Sequence, residues 1–150
     1  RSEGFGAEAK RRIMIGAFAL SSGFYDAYYH RASLVRELVR REFAETFQKV
    51  DVIATPVSPM VAWKIGKMDN DPLANYMADI FTVPGALAGI PGLSVPAGYA
   101  APADDASIEL PVGLQIMGPK LGEEKVLMVG HVFEQAMQEK INAQRPKVWK

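Results

Sequence analysis

Two charged residues stand where the surrounding pattern is apolar, and their types suit the holding of an amino acid by its backbone ends. Arg12 is second of an arginine pair that heads the small, apolar run Ile13-Met14-Ile15-Gly16-Ala17-Phe18-Ala19-Leu20. Asp79 falls among Leu73, Tyr76, Met77 and Ile80. An unpaired charge in an apolar neighbourhood is costly, so each calls for a counter-charge. Arg11 and Arg12 sit about 100° apart around a helix, which keeps them from sharing one direction. One reading is structural: Arg12 and Asp79 pair with each other or with other buried polar groups. The functional reading has Arg12 gripping a carboxylate through its planar fork while Asp79 accepts from an ammonium, a combination that selects an α-amino acid.

Other chemistry is missing. No G-x-S-x-G elbow, P-loop, dinucleotide fingerprint or H-E-x-x-H motif occurs. With no cysteine, disulfides, thiolate catalysis and cysteine-bound zinc are excluded. No metal site is expected. His30 and His131 have no local partner and read as surface or packing residues. Ser21 and Ser22, before Gly23, read as a helix-ending turn rather than nucleophiles.

The elements that must carry these residues follow from periodicity. A first helix is predicted over 8–20 and a long second one over 25–48. The second has an apolar stripe of Tyr28, Ala32, Val35, Leu38, Val39, Phe43 and Phe47. Asp51 to Thr55 predicts a short strand stopped by Pro56. Trp63 and Ile65 are expected to anchor a loop over 60–70, and Asp71-Pro72 to cap and open a third helix. Leu93 to Val95 is expected to be a central strand between Pro91 and Pro96, followed by a strand over 112–117. An amphipathic helix over 122–140 closes the pattern, with a frayed tail over 142–150. Helices alternating with short strands predict an α/β layered fold.

Composition bounds the function. The 150 residues fit one domain and are 49% hydrophobic and 23% charged. Lys+Arg and Asp+Glu both number 17, which argues against direct nucleic-acid binding. No apolar run reaches the ~18 residues of a membrane span, so no membrane role is expected, and the lack of cysteine makes a reducing cytoplasm the natural reading. The chain starts Arg-Ser-Glu-Gly rather than with Met, which suggests a piece of a longer protein.

Four stretches resemble a known family: EAKRRIMIGAFALSSGFYDAYYHRA, DVIATPVSPMVAWKIG, DPLANYMADIFTVPGALAGIPGLSVPAGY and LPVGLQIMGP. They resemble the C-terminal part of the amidase signature family, and within it the A subunits of bacterial glutamyl-tRNA(Gln)/aspartyl-tRNA(Asn) amidotransferases. The block after Gly89 is shared by amidases generally, whereas RRIMIGAFALSSGFYDAYY is particular to the tRNA-dependent subunits. The resemblance implies an α/β/α sandwich with a mixed sheet, of which residues 1–150 form a single C-terminal segment. It implies glutamine hydrolysis by a Ser–cis-Ser–Lys triad, with ammonia passed to partner B and C subunits that hold ATP and Mg. It places the carboxylate-binding arginine on Arg12 and the amino-binding aspartate on Asp79.

The sequence departs from the family at two stretches, Gly85-Ala86-Leu87-Ala88-Gly89 and Ser94-Val95-Pro96-Ala97-Gly98. It also holds none of the triad, which in the family lies upstream. The expectation is therefore a chain that contributes the substrate clamp, needs no cofactor of its own, shows no glutaminase activity alone, and exposes sheet edges through which it associates. Two alternatives stand beside it: a fragment of a stand-alone amidase for another small amide, and a non-catalytic assembly scaffold.

Overall fold

The computed structural model describes residues 4–66 and 72–144. Two compact units emerge, residues 1–39 and 40–150.

In the first unit, α1 spans Ala7–Ala19 and ends at Leu20, whose backbone N–H donates to the Gly16 and Phe18 carbonyls. The expected long second helix does not start as an α-helix. Tyr25–His30 is a π-helical turn, and α2 (Arg31–Thr46) continues from it into the second unit. Aromatic spacing accompanies the wider turn: Tyr25 stacks on Tyr29 with ring centroids 4.9 Å apart, and Phe18, Phe24 and Tyr28 form a second cluster. Neither α1 nor α2 contains a fully buried residue. Of the stripe read from the sequence, Val39, Phe43 and Phe47 are half-buried while Tyr28, Val35 and Leu38 are exposed.

The second unit is built on three strands, β1 (Ile53–Pro56), β2 (Gly92–Ala100) and β3 (Leu110–Met117), in the order β1-β3-β2 and antiparallel throughout. The strand over 92–100 is thus an outer strand, and β3, not β2, is central. Pro56 and Pro96 lie inside strands rather than stopping them. A missing N–H is tolerable on an edge, and both β1 and β2 are edges here. Pro111 in central β3 obeys the same rule, because β1 pairs only with Leu114–Met117. Between Pro96 and Gly98 the β2–β3 register slips, and Gly98 takes φ +130°, a conformation L side chains rarely adopt.

Side chains alternate across the sheet, which divides its two faces. On one face α5 (Glu123–Gln144) lies along the strands through Val126, Val129, Gly130, Phe133 and Met137, a helical spacing. Val95, Ile116 and Val126 form the core there, flanked by Val52, Leu93, Leu114, Val129 and Phe133. Among the described residues Ile116, 1% exposed, is the one large side chain that is completely enclosed. A salt bridge of 2.7 Å from Lys125 Nζ to Asp51 Oδ1 ties α5 to the start of β1 and holds the Asp51 carboxyl below its usual range. On the opposite face α4 (Val83–Ala88) meets Met117 at Gly85, and the turn 79–82, which joins α4 to α3 (Pro72–Ala78), meets Gln115 at Phe81.

Two expectations fail in detail, and part of a third lies out of view. Trp63 is 41% exposed and Ile65 fully so, and neither anchors its loop. The last helix runs to Gln144 rather than fraying from Asn142. The third helix opens at Pro72, while its expected cap, Asp71, lies outside the described residues.

Candidate functional site

Arg12 sits on α1, in the first unit, one helical turn after Glu8. Its Nε donates to Glu8 Oε1 at 2.9 Å, and Arg11 grips the same carboxylate through Nε and NH2 at 2.8 and 2.9 Å. Spacings of three and four residues bring both guanidinium groups over one acid. Hydrogen bonds from Arg11 and then Arg12 lower the Glu8 pKa to about 2. The anion that the arginine pair calls for is therefore present as a structural carboxylate. The premise that Arg12 is a buried charge does not hold: its side chain is 71% exposed.

Asp79 belongs to the second unit and departs from expectation in a similar way. It lies just past the end of α3, with its residue exposed, rather than inside an apolar helix face. Its backbone is closely held. The Asp79 carbonyl accepts from the Thr82 N–H (3.1 Å), the Val83 N–H (3.0 Å) and the Thr82 hydroxyl (3.2 Å), and its own N–H donates to Tyr76 O (3.3 Å). The 79–82 turn thus presents a carboxylate on a fixed frame between two short helices. Arg12 and Asp79 fall in different units, so each side chain's setting is that of its own unit.

A polar row on the sheet escapes the sequence reading. Register places Thr55 of β1, Gln115 of β3 and Ser94 of β2 side by side, on the face away from α5. Gln115 is 9% exposed, the one buried polar side chain among the described residues. Its Nε2 donates to the Phe81 carbonyl at 2.8 Å and to Thr55 Oγ1 at 3.2 Å, with Met117 Sδ at 3.5 Å. A signal was available: Gln115 is the lone polar side chain in the run Val112 to Met117.

The remaining candidates take ordinary places. Ser21 Oγ donates to Phe18 O at 2.7 Å in the turn after α1, and His30 and His131 are exposed. Among the described residues no three His, Cys, Asp or Glu side chains gather as metal ligands, and no helix is long and apolar enough to cross a membrane.

Comparison with known proteins gives this arrangement a family. The A subunit of glutamyl-tRNA(Gln) amidotransferase from Thermoanaerobacter pseudethanolicus is 56% identical over 136 residues, covering 91% of this chain and 26% of the relative. Its counterpart from Prochlorococcus marinus is 52% identical, with 91% and 27% covered. The chain thus spans about a quarter of the length of the curated relatives it matches. Among solved structures, the glutamyl-tRNA(Gln) amidotransferase A subunit of Thermotoga maritima superposes with a TM-score of 0.61 at 45% identity, over 84% of this chain and 26% of that one. Allophanate hydrolase of Kluyveromyces lactis shares the fold, with a TM-score of 0.64 at 22% identity over 85% of this chain and 19% of the other. Both neighbours fit the α/β class expected from the sequence. The amidase family model matches residues 1–127, and the chain belongs to the amidase family.

Proposed function

We propose that this chain forms the C-terminal segment of the A subunit of a tRNA-dependent amidotransferase, the component that releases ammonia from glutamine. The observation that carries the reading is 52–56% identity to curated A subunits across 91% of the chain. In the whole protein the amide C–N bond of glutamine is cleaved, water supplies the oxygen of the product carboxylate, and ammonia passes to a partner subunit. ATP and Mg act in that partner, with B and C subunits completing a cytoplasmic complex. The nucleophile and its base belong to the upstream part of such subunits. This chain contributes recognition: Arg12 binds the glutamine α-carboxylate and Asp79 its α-ammonium.

The two exposed side chains suit that role. Each reaches solvent within its own unit, and the closely bonded backbone of the 79–82 turn limits the freedom lost when Asp79 binds. The test is steady-state glutaminase kinetics of the full-length protein carrying this segment, with Arg12 changed to Ala. Losing a charge-assisted pair to a carboxylate raises KM for glutamine on the order of 100-fold, with a smaller change in kcat. Kinetics like those of the unmodified protein would instead favour an amidase for another small amide, with Arg12 serving only the α1 surface.

A further inference from the structure

The turn that carries Asp79 and the helix α4 that follows it are each tied to the same face of β3. Gln115 Nε2 meets the Phe81 carbonyl at 2.8 Å. Two residues on, Met117 meets α4 where a Cβ built on Gly85 would lie 3.0 Å from its sulfur. The second tie is an apolar close approach. The first is a hydrogen bond with a fixed direction, made by a side chain that is itself 9% exposed. The amide orientation is forced, since a carbonyl oxygen only accepts and the atom facing Phe81 O must be the nitrogen. The second amide hydrogen is directed towards Thr55 Oγ1, so the neighbouring strand sets the angle of the group that holds the turn.

Phe81 is two residues from Asp79 and inside the turn closed by Thr82 N–H and Val83 N–H on Asp79 O. A shift of the Phe81 carbonyl therefore moves the frame on which the Asp79 carboxylate stands. We infer that Gln115 is a positioning residue for amino-acid recognition: through the Phe81 carbonyl it fixes the 79–82 turn and so aims Asp79 at the substrate ammonium. Gln115 touches no reacting atom and acts through Asp79. The inference rests on the reading of Asp79 as the ammonium-binding residue.

The experiment uses the full-length protein carrying this segment, with glutamine as the variable substrate. Gln115→Glu keeps the shape but replaces the two amide donors with a carboxyl, and Gln115→Leu removes the polar group altogether. Each raises KM for glutamine about tenfold with kcat changed less than about threefold, as expected when one buried hydrogen bond is lost. Asp79→Asn raises KM by itself. Adding either Gln115 change to Asp79→Asn gives little further increase, because the group being aimed has lost its charge. A general structural role would instead lower kcat as well and add to the effect of Asp79→Asn.

The failures separate cleanly. If Asp79→Asn leaves KM unchanged, the ammonium reading falls and this inference with it. If Asp79→Asn raises KM while both Gln115 variants do not, or if the effects simply add, only the positioning role is overturned. If neither Gln115 variant accumulates as folded protein, Gln115 serves the whole fold and the inference is likewise refuted.

Discussion

Ile116 is the place where the fold of the second unit can be weighed most directly. It is the only large side chain among the described residues that is completely enclosed, and it stands on central β3 facing Val95 of β2 and Val126 of α5. Ile116→Ala removes three carbons, and at roughly 0.8 kcal/mol each the transfer contribution is about 2.4 kcal/mol. A cavity contribution adds to this, but here it stays small. The shell around the site, Val52, Leu93, Leu114, Val129 and Phe133, is half-buried rather than locked, so it can move inward. The total expected loss is about 3 kcal/mol. Ile116→Val removes one carbon and should cost about 1 kcal/mol.

Urea unfolding of the 150-residue chain, followed by far-UV circular dichroism, measures both losses as shifts in midpoint at constant slope. Ile65→Ala is the internal control. That side chain is fully exposed, and its removal should change stability by less than about 0.5 kcal/mol. A loss of under about 1 kcal/mol for Ile116→Ala, or one no larger than the control's, would refute the placement of the core between β3 and α5.

Two further perturbations test local features. Leu121 adopts φ +61° with its side chain 83% exposed, in a turn closed by the Gly122 N–H on Pro119 O. Leu121→Gly relieves that backbone and loses almost no packing, so stability should rise by about 0.5–1 kcal/mol; a lower melting midpoint would contradict the strain. Glu8, with its pKa lowered to about 2 by Arg11 and Arg12, stabilises α1 in full above its ordinary value of 4.5. That support declines as pH falls towards 2, so helix content should fall across this window in the parent chain and stay flatter in Glu8→Gln. A carboxyl NMR titration midpoint near 4.5 would mean that the shared ion pair does not form.

Two periodic parts of the chain were legible because one side of each faces something apolar. The α5 stripe and the core face of β3 appear where hydrophobic spacing puts them. Prolines misled the strand boundaries, since their meaning depends on whether a strand is central or at an edge, and strand order is a long-range property. The π-helical turn escaped for a related reason: the apolar pattern of 25–30 fits an α-helix as well, and the spacing of rings Tyr25 and Tyr29 carries no label for the wider turn.

The reason for which the two candidate site residues stood out in the sequence is not the one the structure offers. Arg12 and Asp79 stood out as charges that an apolar setting would penalise, yet one pairs with Glu8 on an open helix face and the other stands on an exposed turn. Burial that the local pattern suggested is absent, so the cost argument does not single them out. What does single out Asp79 is the order of its surroundings. Three donors converge on its carbonyl, and its turn is fixed to the sheet through a buried Gln115 whose partners lie on residues 55 and 81, far away in sequence. A lone Gln in an apolar strand can be read from sequence as a group needing partners, but only the register that sets Thr55 beside it and Phe81 above it tells which partners those are. An exposed carboxylate on a mobile turn would bind an ammonium weakly, because ordering it would offset the attraction. Here the backbone of the turn is already held before any ligand arrives, and that makes the surface position of Asp79 compatible with the proposed recognition.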